Sequence, residues 1–317
     1  MPEMPEVEVV RRGLAPYVSG RTIDRVEVHD VRSIRRHTPG ADHLGDALVG
    51  RRIRSAVRRG KFLWLLDDHL DDALMVHLGM SGQLRVSAPP ATDPASVGGP
   101  GAGPTGAAPS EGPASDPVKH LRVRLELDDG TRIDFIDQRI FGGLWLSPLE
   151  ETADAAPAGE GDDLPLIPSS AAHIARDLTD PQLDVERTVA AIRRSRASIK
   201  SLLLNQQVVS GIGNIYADEA LWAARIHYER PGESVSAAKV RQLLAEARAV
   251  MERALEVGGT SFDALYVNVD GRSGYFARDL NVYGRSGLPC RRCGTPIVRE
   301  KFTNRSSHFC PSCQRKR

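Results

Sequence analysis

The chain has 317 residues, of which 26% are charged and 41% are hydrophobic, and this length favours two domains over one. No apolar run approaches the ~18 residues that a membrane helix requires. The acidic, proline-rich start at residues 1–6 lacks the basic end and apolar core of a secretory signal. The sequence therefore argues against a membrane protein, a secreted disulfide scaffold and a collagen-like chain, and it predicts a cytoplasmic protein.

The net charge of +1 conceals an uneven distribution of charge. Residues 88–117 contain three acids and residues 150–163 contain six, and neither segment contains Lys or Arg. From Arg285 to the end, nine Lys or Arg accompany a single acid, Glu300. A basic body with a very basic end is expected of a protein that binds a polyanion such as nucleic acid. A solvated charged surface without a binding role would have the same numbers of acidic and basic residues.

The first half begins with one predicted helix. Pro5 suits its first turn, Glu6 and Glu8 suit the positive end of its dipole, and Gly13 is expected to mark its end. Apolar patterning then predicts strands at residues 52–57, 61–66 and 73–77.

The strand pattern resumes after a low-complexity segment. Residues 88–117 contain eight Pro, six Gly and no aromatic residue, so they cannot bury enough apolar surface to offset the entropy of ordering, and we expect a disordered insertion. Residues 121–127 alternate apolar and polar side chains, residues 128–130 form a turn, and residues 131–136 return as a strand. The first half is therefore predicted to be mainly antiparallel β, with residues 150–163 as a shorter acidic loop.

The second half has helical periodicity. Helices are predicted at residues 185–194, 197–209, 216–224 and 237–257. Gly258 and Gly259 are expected to end the last of them. The turn Gly211-Ile212-Gly213-Asn214 separates the second from the third, and the amides at the start of the third helix could hold a phosphate, with Asn214 as cap and additional donor. A purely structural turn would have the same residues.

All four cysteines lie near the end of the chain. Cys290-x2-Cys293 and Cys310-x2-Cys313 are separated by sixteen residues, a spacing that places four thiolates around one zinc ion. Four protein ligands leave no open position for water, so we expect a structural zinc rather than a catalytic one. Basic residues surround this finger and are candidates for phosphate contacts: Arg291, Arg292, Arg299, Lys301 and Arg305.

Several ordered motifs in the chain resemble the formamidopyrimidine-DNA glycosylase family. They are residues 1–8 (MPEMPEVE), 59–61 (RGK), 77–82 (HLGMSG), 211–219 (GIGNIYADE) and the four-cysteine finger. The resemblance implies an α+β fold of two domains with DNA in the cleft between them. An N-terminal antiparallel β-sandwich with flanking helices occupies residues 1–150, an acidic linker 151–180, a helix-two-turn-helix domain 181–284, and a zinc finger hairpin 285–317.

The resemblance also implies the catalytic residues. Pro2 is the nucleophile once Met1 is removed, because a secondary amine attacking C1′ of the sugar gives an iminium that acidifies the C2′ protons and drives loss of the 3′ phosphate. Glu3 is the proton donor. Lys61 and Arg305 are implied to contact phosphates and to assist β- and δ-elimination. Glu6 is open to two interpretations, a partner of the helix dipole or a lining of the lesion pocket, and we favour the first.

Other matched positions imply DNA contacts. Met80, Arg139 and Phe141 would fill the hole left by an extruded base, with Arg139 bonding the orphaned cytosine. For the two apolar residues, Met80 and Phe141, the alternative role is core packing. Phosphate contacts are implied for His77, His120, Arg196, Asn214 and, less securely, Lys200.

The sequence departs from the family pattern at three places. Gln138 and Ile140 replace the Pro and the second Arg of Asp-Pro-Arg-Arg-Phe-Gly, which puts the stiffness of that loop in question. Thr303-Asn304 stand where small or glycine residues are common. Arg122 stands where a second histidine is common, and we expect it to keep a phosphate donor.

The resemblance therefore predicts a bifunctional glycosylase and abasic-site lyase that removes 8-oxoguanine and ring-opened purines from double-stranded DNA. It is expected to act as a monomer associated with the bacterial nucleoid during repair. The segment 258–276 resembles the loop that covers an extruded 8-oxoguanine and favours purine over pyrimidine lesions. Two alternatives are an endonuclease VIII-like enzyme for oxidised pyrimidines and a non-catalytic DNA-binding protein, the latter disfavoured because binding alone needs neither Pro2 nor Glu3.

Overall fold

The computed structural model describes residues 2–87, 117–259 and 280–316. Within these ranges no helix combines the length and the apolarity needed to cross a membrane. The predicted insertion at 88–117 and the segment 260–276 lie almost entirely outside the described residues.

Helix α1 (Met4–Val18) starts as predicted and continues past Gly13, so the expected end at Gly13 is wrong. The buried stripe of Val7, Val10, Leu14 and Val18 explains this, because continuing the helix keeps all four side chains against the sandwich. That burial outweighs the ~1 kcal/mol cost of a glycine inside a helix.

The N-terminal half is a β-sandwich of two antiparallel sheets. One sheet has the order β1-β6-β7-β5, and the other has the order β2-β3-β4-β8-β9. The strands of the first are β1 (Ile23–Val28), β5 (Gly82–Ser87), β6 (Leu121–Leu127) and β7 (Arg132–Asp137). The strands of the second are β2 (Ile53–Arg59), β3 (Phe62–Asp67), β4 (Asp72–His77), β8 (Gly143–Glu151) and β9 (Leu166–Pro168). A second helix, α2 (Ala41–Leu48), flanks the sandwich, and short 3₁₀ helices lie at Val31–Ile34, Pro117–His120 and Ser169–Ala171.

The sandwich confirms the antiparallel β prediction for the first half. The alternation in β6 buries Leu121, Val123, Leu125 and Leu127 on one face, as expected for a half-buried strand. The turn at residues 128–130 joins β6 to β7 as predicted.

Residues 151–180 are packed rather than a free acidic linker. Strand β9 pairs with β8, Ala158 is buried, and the backbones of Glu160 and Arg58 exchange hydrogen bonds of 2.9 Å in both directions. Two of the acids are neutralised locally, since Asp154 pairs with Arg176 and Asp162 with Arg54. One of these ion pairs lies within the segment and the other joins it to β2, and the segment forms an edge of the sandwich.

The second half is helical. It contains α3 (Val185–Arg193), α4 (Ile199–Leu204), α5 (Asn214–Ala223) and α6 (Ala237–Glu256) around a core that includes Tyr216 and Leu243. Helix α4 ends five residues earlier than predicted. The chain then leaves the helix at Asn205, which adopts an extended conformation, and folds back toward the glycine turn. Gly258 and Gly259 follow α6 with positive φ, as predicted for a helix end.

The chain ends in a two-stranded hairpin, β10 (Val298–Phe302) and β11 (Arg305–Phe309). Phe302 and Phe309 pack into the helical core, so the hairpin is fixed to the helical domain. The α+β architecture with a sandwich, a helical domain and a terminal cysteine hairpin confirms the predicted fold class.

Candidate active site

The chain start is buried where the two halves meet. Pro2 is buried, and the Met4 amide donates to the Gly211 carbonyl at 3.0 Å. The Glu3 side chain is only 3% exposed. A β-carbon on Gly213 would lie 2.2 Å from the Glu3 carboxyl carbon, so residue 213 must be glycine for the chain start to approach this closely.

The Glu3 carboxylate occupies the N-terminal end of α5. It accepts hydrogen bonds from the amides of Gly213 (2.5 Å), Ile215 (2.9 Å) and Tyr216 (3.4 Å). Of the two sequence interpretations of this turn, the structural one agrees with this geometry, because a carboxylate of the same chain takes the amides that could have held a phosphate. Gly213 is the N-cap and Asn214 is the first helical residue, which also corrects the prediction that Asn214 caps the helix.

Burial raises the pKa of Glu3 to about 7, although nearby Lys61 and the Gly213 and Ile215 amides act in the opposite direction. A carboxyl group with this pKa exchanges a proton near neutral pH, which is what a general acid requires.

Glu6 closes the first turn of α1. Its carboxylate accepts from the Glu3 amide at 2.8 Å, in a capping box, and from the Tyr216 hydroxyl at 2.8 Å. The favoured interpretation of Glu6 as a partner of the helix start agrees with this geometry. It also contributes to the site indirectly, because its negative charge raises the Glu3 pKa further.

Lys61 lies in the turn between β2 and β3 and reaches the same centre. Its Nζ donates to the Ile212 carbonyl at 2.7 Å, and the residue is 7% exposed. Burial lowers the Lys61 pKa to about 8, with Glu3 opposing the shift and Arg305 adding to it. The fold therefore brings together Glu3 and Lys61, as expected from the sequence, next to the buried Pro2.

The two arginines before Lys61 have structural roles. Arg58 is buried between Glu8 (2.8 Å) and Asp177 (2.6 Å), which ties α1 to the start of the helical half. Arg59 is also buried and donates to the Ile174 carbonyl at 3.3 Å. Both arginines therefore have structural partners within the chain.

Met80, Arg139 and Phe141 are all solvent-exposed, which excludes core packing for the two apolar side chains. Met80 is 38% exposed and Phe141 is 52% exposed. A β-carbon on Gly79 would lie 2.4 Å from the Gly142 amide nitrogen, so the two loops that carry these side chains are in direct backbone contact. Exposed apolar side chains on adjacent, close-packed loops suit insertion into a base stack.

The expected phosphate contacts are not all equally available. His77 lies at the end of β4, and burial together with Arg36 and Arg35 lowers its pKa to about 4, so its ring is neutral near pH 7. His120 is half-buried, and Arg196 is 90% exposed at the side chain. The Asn214 amide group donates to the Ser306 carbonyl in the terminal hairpin at 3.0 Å.

Two other expected phosphate contacts are corrected by the structure. Lys200 is 0% exposed, with its Nζ 2.7 Å from Asp218 and 2.9 Å from the Ser306 carbonyl, so it joins helices α4 and α5 to the hairpin rather than facing solvent. Arg122 donates to the Asp137 carbonyl at 2.8 Å and to Asp30 at 3.2 Å. Its donors are therefore engaged within the sandwich.

Arg305 is exposed at the first position of β11. The hairpin turn consists of Thr303 and Asn304, since Phe302 pairs with Arg305 across the ladder. Thr303 has φ +53°, a conformation that a β-branched residue adopts at a cost. The turn forms despite its departure from the family pattern, and Arg305 is presented at its end.

The sulfur atoms of Cys290, Cys293, Cys310 and Cys313 lie within 4.8 Å of one another. This matches four thiolates around a tetrahedral zinc with Zn–S distances of ~2.3 Å. Two of these sulfurs accept N–H groups, from the Trp222 indole and the Cys313 amide, each at 3.4 Å. The zinc prediction is confirmed, and the ion holds the hairpin that carries Arg305.

Two residues that the sequence did not single out fix the exposed loop. Asp137 accepts from the Ser81 hydroxyl (2.6 Å) and the Gly142 amide (2.8 Å), and Arg35 donates to several carbonyls of residues 140–142. The sequence could have pointed to Asp137, because it is an acidic residue at the end of β7, directly before the exposed loop. Nothing in the local sequence distinguishes Arg35 from its neighbours Arg32 and Arg36.

Comparisons with known proteins agree over nearly the whole chain. Family models match the formamidopyrimidine-DNA glycosylase N-terminal domain (residues 1–144), the formamidopyrimidine-DNA glycosylase H2TH domain (174–265) and the zinc finger found in FPG and IleRS (287–315). The formamidopyrimidine-DNA glycosylase of Nocardia farcinica is 52% identical over 323 residues, covering 99% of this chain and 98% of the relative.

Two solved structures are also similar. Lactococcus lactis Fpg in complex with abasic-site DNA has a TM-score of 0.74 at 29% identity, and MutM in complex with carbocyclic 8-oxo-G DNA has a TM-score of 0.74 at 30% identity. Each alignment covers 99% of this chain and 100% of the other.

Proposed function

The chain belongs to the formamidopyrimidine-DNA glycosylase family, and on that premise we propose that it excises 8-oxoguanine and formamidopyrimidines from double-stranded DNA and then cleaves the strand by β,δ-elimination. The observation that carries this mechanism is the Glu3 carboxyl group, which is buried beside the chain start and has a pKa near 7. DNA binding alone needs no such group.

Pro2 is the proposed nucleophile. After removal of Met1 its nitrogen is a secondary amine, which attacks C1′ of the damaged nucleoside. The C1′–N bond to the base breaks, and the base leaves with that electron pair and with the proton that the Pro2 nitrogen loses. Opening of the sugar ring then gives an iminium between Pro2 and C1′, whose fixed positive charge withdraws electrons from C2′.

Glu3 is the proposed proton donor to the sugar ring oxygen during this step. The α5 amides hold its carboxyl group in one place, so the donor needs no reorganisation when the ring opens. Its raised pKa keeps a large protonated fraction at pH 7.

Lys61 and Arg305 are proposed to assist the elimination steps. Loss of a C2′ proton expels the 3′ phosphate, and a second elimination expels the 5′ phosphate. Both leaving groups are anions, which a cation stabilises as their charge develops. The burial of Lys61 beside Glu3 and the exposure of Arg305 on the hairpin support a role at the sugar for the first and at the phosphates for the second.

The remaining residues are proposed to bind the duplex. Met80, Arg139 and Phe141 fill the space left by the extruded base, and His77, His120, Arg196 and Asn214 contact phosphates. Zinc supplies no chemistry at the sugar in this proposal, because four cysteines fill its coordination sphere. An enzyme with this activity would work at the bacterial nucleoid.

Borohydride trapping tests the proposal directly. Borohydride reduces an iminium and links the enzyme irreversibly to DNA, so incubation with an 8-oxoguanine duplex should give a covalent adduct that peptide mapping assigns to residue 2. Thymine glycol duplexes should give much less adduct. Attachment at Lys61, or a protein that retains Met1 and is still fully active, would contradict the mechanism, since an amide nitrogen cannot attack C1′.

A further inference from the structure

The loop after β7 contains a strained residue. Ile140 has φ +56°, in the left-handed region, where a β-branched side chain costs about 1–3 kcal/mol. Such a conformation persists only where neighbouring groups hold it. Phe141 follows directly and is 52% exposed, so its own side chain does not anchor the loop.

One side chain holds the carbonyls of this loop. The Arg35 guanidinium donates to the carbonyls of Ile140 (3.0 Å), Phe141 (3.1 Å) and Gly142 (3.2 Å). Three successive backbone carbonyls thus converge on one planar group. The same guanidinium donates to the Arg32 carbonyl at 3.0 Å, which ties the loop to the 3₁₀ helix Val31–Ile34.

A carboxylate holds the loop from its other end. Asp137 accepts from the amides of Arg139 (3.1 Å) and Gly142 (2.8 Å), and from the Ser81 hydroxyl in the neighbouring turn that carries Met80. Arg35 therefore holds the loop through its carbonyls, and Asp137 holds the loop through its amides. The loop between them has little freedom, even though Gln138 replaces the proline of the family pattern.

We propose that Arg35 is a positioning residue for base extrusion, which holds the loop of residues 139–142 in the conformation that directs Phe141 and Arg139 into the base stack. It acts through the loop carbonyls rather than on DNA phosphates. This inference rests on the proposed function, because it assigns to Arg35 the support of side chains that fill the space left by the lesion.

The test separates insertion from chemistry. Binding to a duplex that carries 2-aminopurine beside an abasic-site analogue should raise the fluorescence of the probe as inserted side chains unstack it, and this signal needs no catalysis. We expect Arg35→Ala to lose most of the wild-type rise and to slow single-turnover excision of 8-oxoguanine from a duplex by about tenfold. The rate of borohydride trapping on an abasic site, where no base is extruded, should stay within about twofold of the wild-type rate.

Arg32→Ala is the matched control, since it removes the same charge three residues earlier in the chain, where the side chain pairs with Asp30 and not with the loop. It should retain the fluorescence rise. Arg35→Lys keeps the charge but cannot present a planar fork to three carbonyls, so we expect it to resemble Arg35→Ala. Thermal unfolding and zinc content identify any variant that has failed to fold.

A double mutant completes the argument. If Arg35 acts through the loop, Arg35→Ala should have a much smaller effect in a Phe141→Ala background than in the wild type, because one of the two side chains that it directs is already gone. Full rescue by lysine, additive effects in the double mutant, or a wild-type fluorescence rise in Arg35→Ala would each overturn the inference. An absence of the Pro2 adduct in wild-type enzyme would instead overturn the proposed function, while the fluorescence measurement would still decide the role of Arg35.

Discussion

The Glu3 carboxylate accepts a hydrogen bond from the Gly213 amide, although the two residues are 210 positions apart in the sequence. Through this bond a residue of the N-terminal segment is buried at the N-terminus of α5, in the helical half. The pKa of Glu3 thus depends on the contact between the two halves of the molecule, and so does the proposed chemistry.

The pH dependence of base excision should follow Glu3. The acid form is the proposed donor and burial raises its pKa to about 7, whereas the Pro2 amine, with a pKa of about 8 for a chain terminus, must be unprotonated to attack. The single-turnover rate should therefore be highest between about pH 7 and pH 8 and should fall on both sides. Glu3→Gln should lose excision and its pH dependence together. Glu6→Gln should retain excision with the high-pH fall moved to lower pH, because the Glu6 charge is one of the causes that raise the Glu3 pKa. A rate that stays constant to pH 9 would contradict this role of Glu3.

Gly213→Ala should damage the site without unfolding either half. The added β-carbon would lie 2.2 Å from the Glu3 carboxyl carbon, so the chain start must shift. Displacement of reacting groups by about 1 Å typically lowers rates on the order of a hundredfold. Gly45→Ala, in α2 with open space around its β-carbon, is the matched control and should increase stability by up to about 1 kcal/mol. Equal excision rates for the two variants would show that the close approach is unimportant.

Removal of zinc should abolish DNA binding and leave the sandwich folded. The hairpin is held by four cysteines and also contacts Lys200 and Asn214 through the Ser306 carbonyl. Unfolding of the hairpin without zinc would therefore free both side chains as well as Arg305. Metal analysis should find about one zinc per chain. Chelation should remove binding in a mobility-shift assay, while far-UV circular dichroism keeps the β signal. Tight binding by metal-free protein would disprove this dependence.

Thr303→Gly should stabilise the hairpin. Thr303 has φ +53°, which glycine adopts without the steric cost that a β-branched residue has. The substitution loses a hydrogen bond from the Thr303 hydroxyl to the Phe302 carbonyl (2.7 Å), so the net gain should be at most about 1 kcal/mol in the free energy of unfolding. Denaturant unfolding with zinc bound measures it. Asn304→Gly, at a position without positive φ, should not stabilise the protein.

The local elements were readable from the sequence, and the contacts between them were not. Strands β2, β3, β4, β6 and β7 follow from apolar periodicity, and zinc ligation follows from cysteine spacing. The burial of Lys200 against Asp218, and of Arg58 between Glu8 and Asp177, depends on which surfaces meet in three dimensions. The resemblance implied a phosphate contact for Lys200, less securely than for the other positions, and the burial of this side chain depends on packing that the sequence does not show.

In the candidate site, too, the sequence identified single residues but not the contacts between them. The identities of Pro2, Glu3 and Lys61 came from motifs. The turn around Gly213 stayed open between a phosphate site and a purely structural turn, because a helix N-terminus attracts any anion and the sequence does not say which one is present. Arg35 was missed since its partners are backbone carbonyls more than a hundred positions away, and carbonyls have no sequence identity.

The burial of Pro2 has a consequence for the order of events during synthesis. The nascent chain exposes its first residues long before residues 211–216 leave the ribosome, and in that interval Glu3 is an ordinary solvated carboxyl group. Once α5 has packed against the chain start, Pro2 and Glu3 are buried, so an aminopeptidase has less access to them. Methionine removal is therefore expected to be cotranslational, so that processing comes before folding and the site assembles around an amine that is already free.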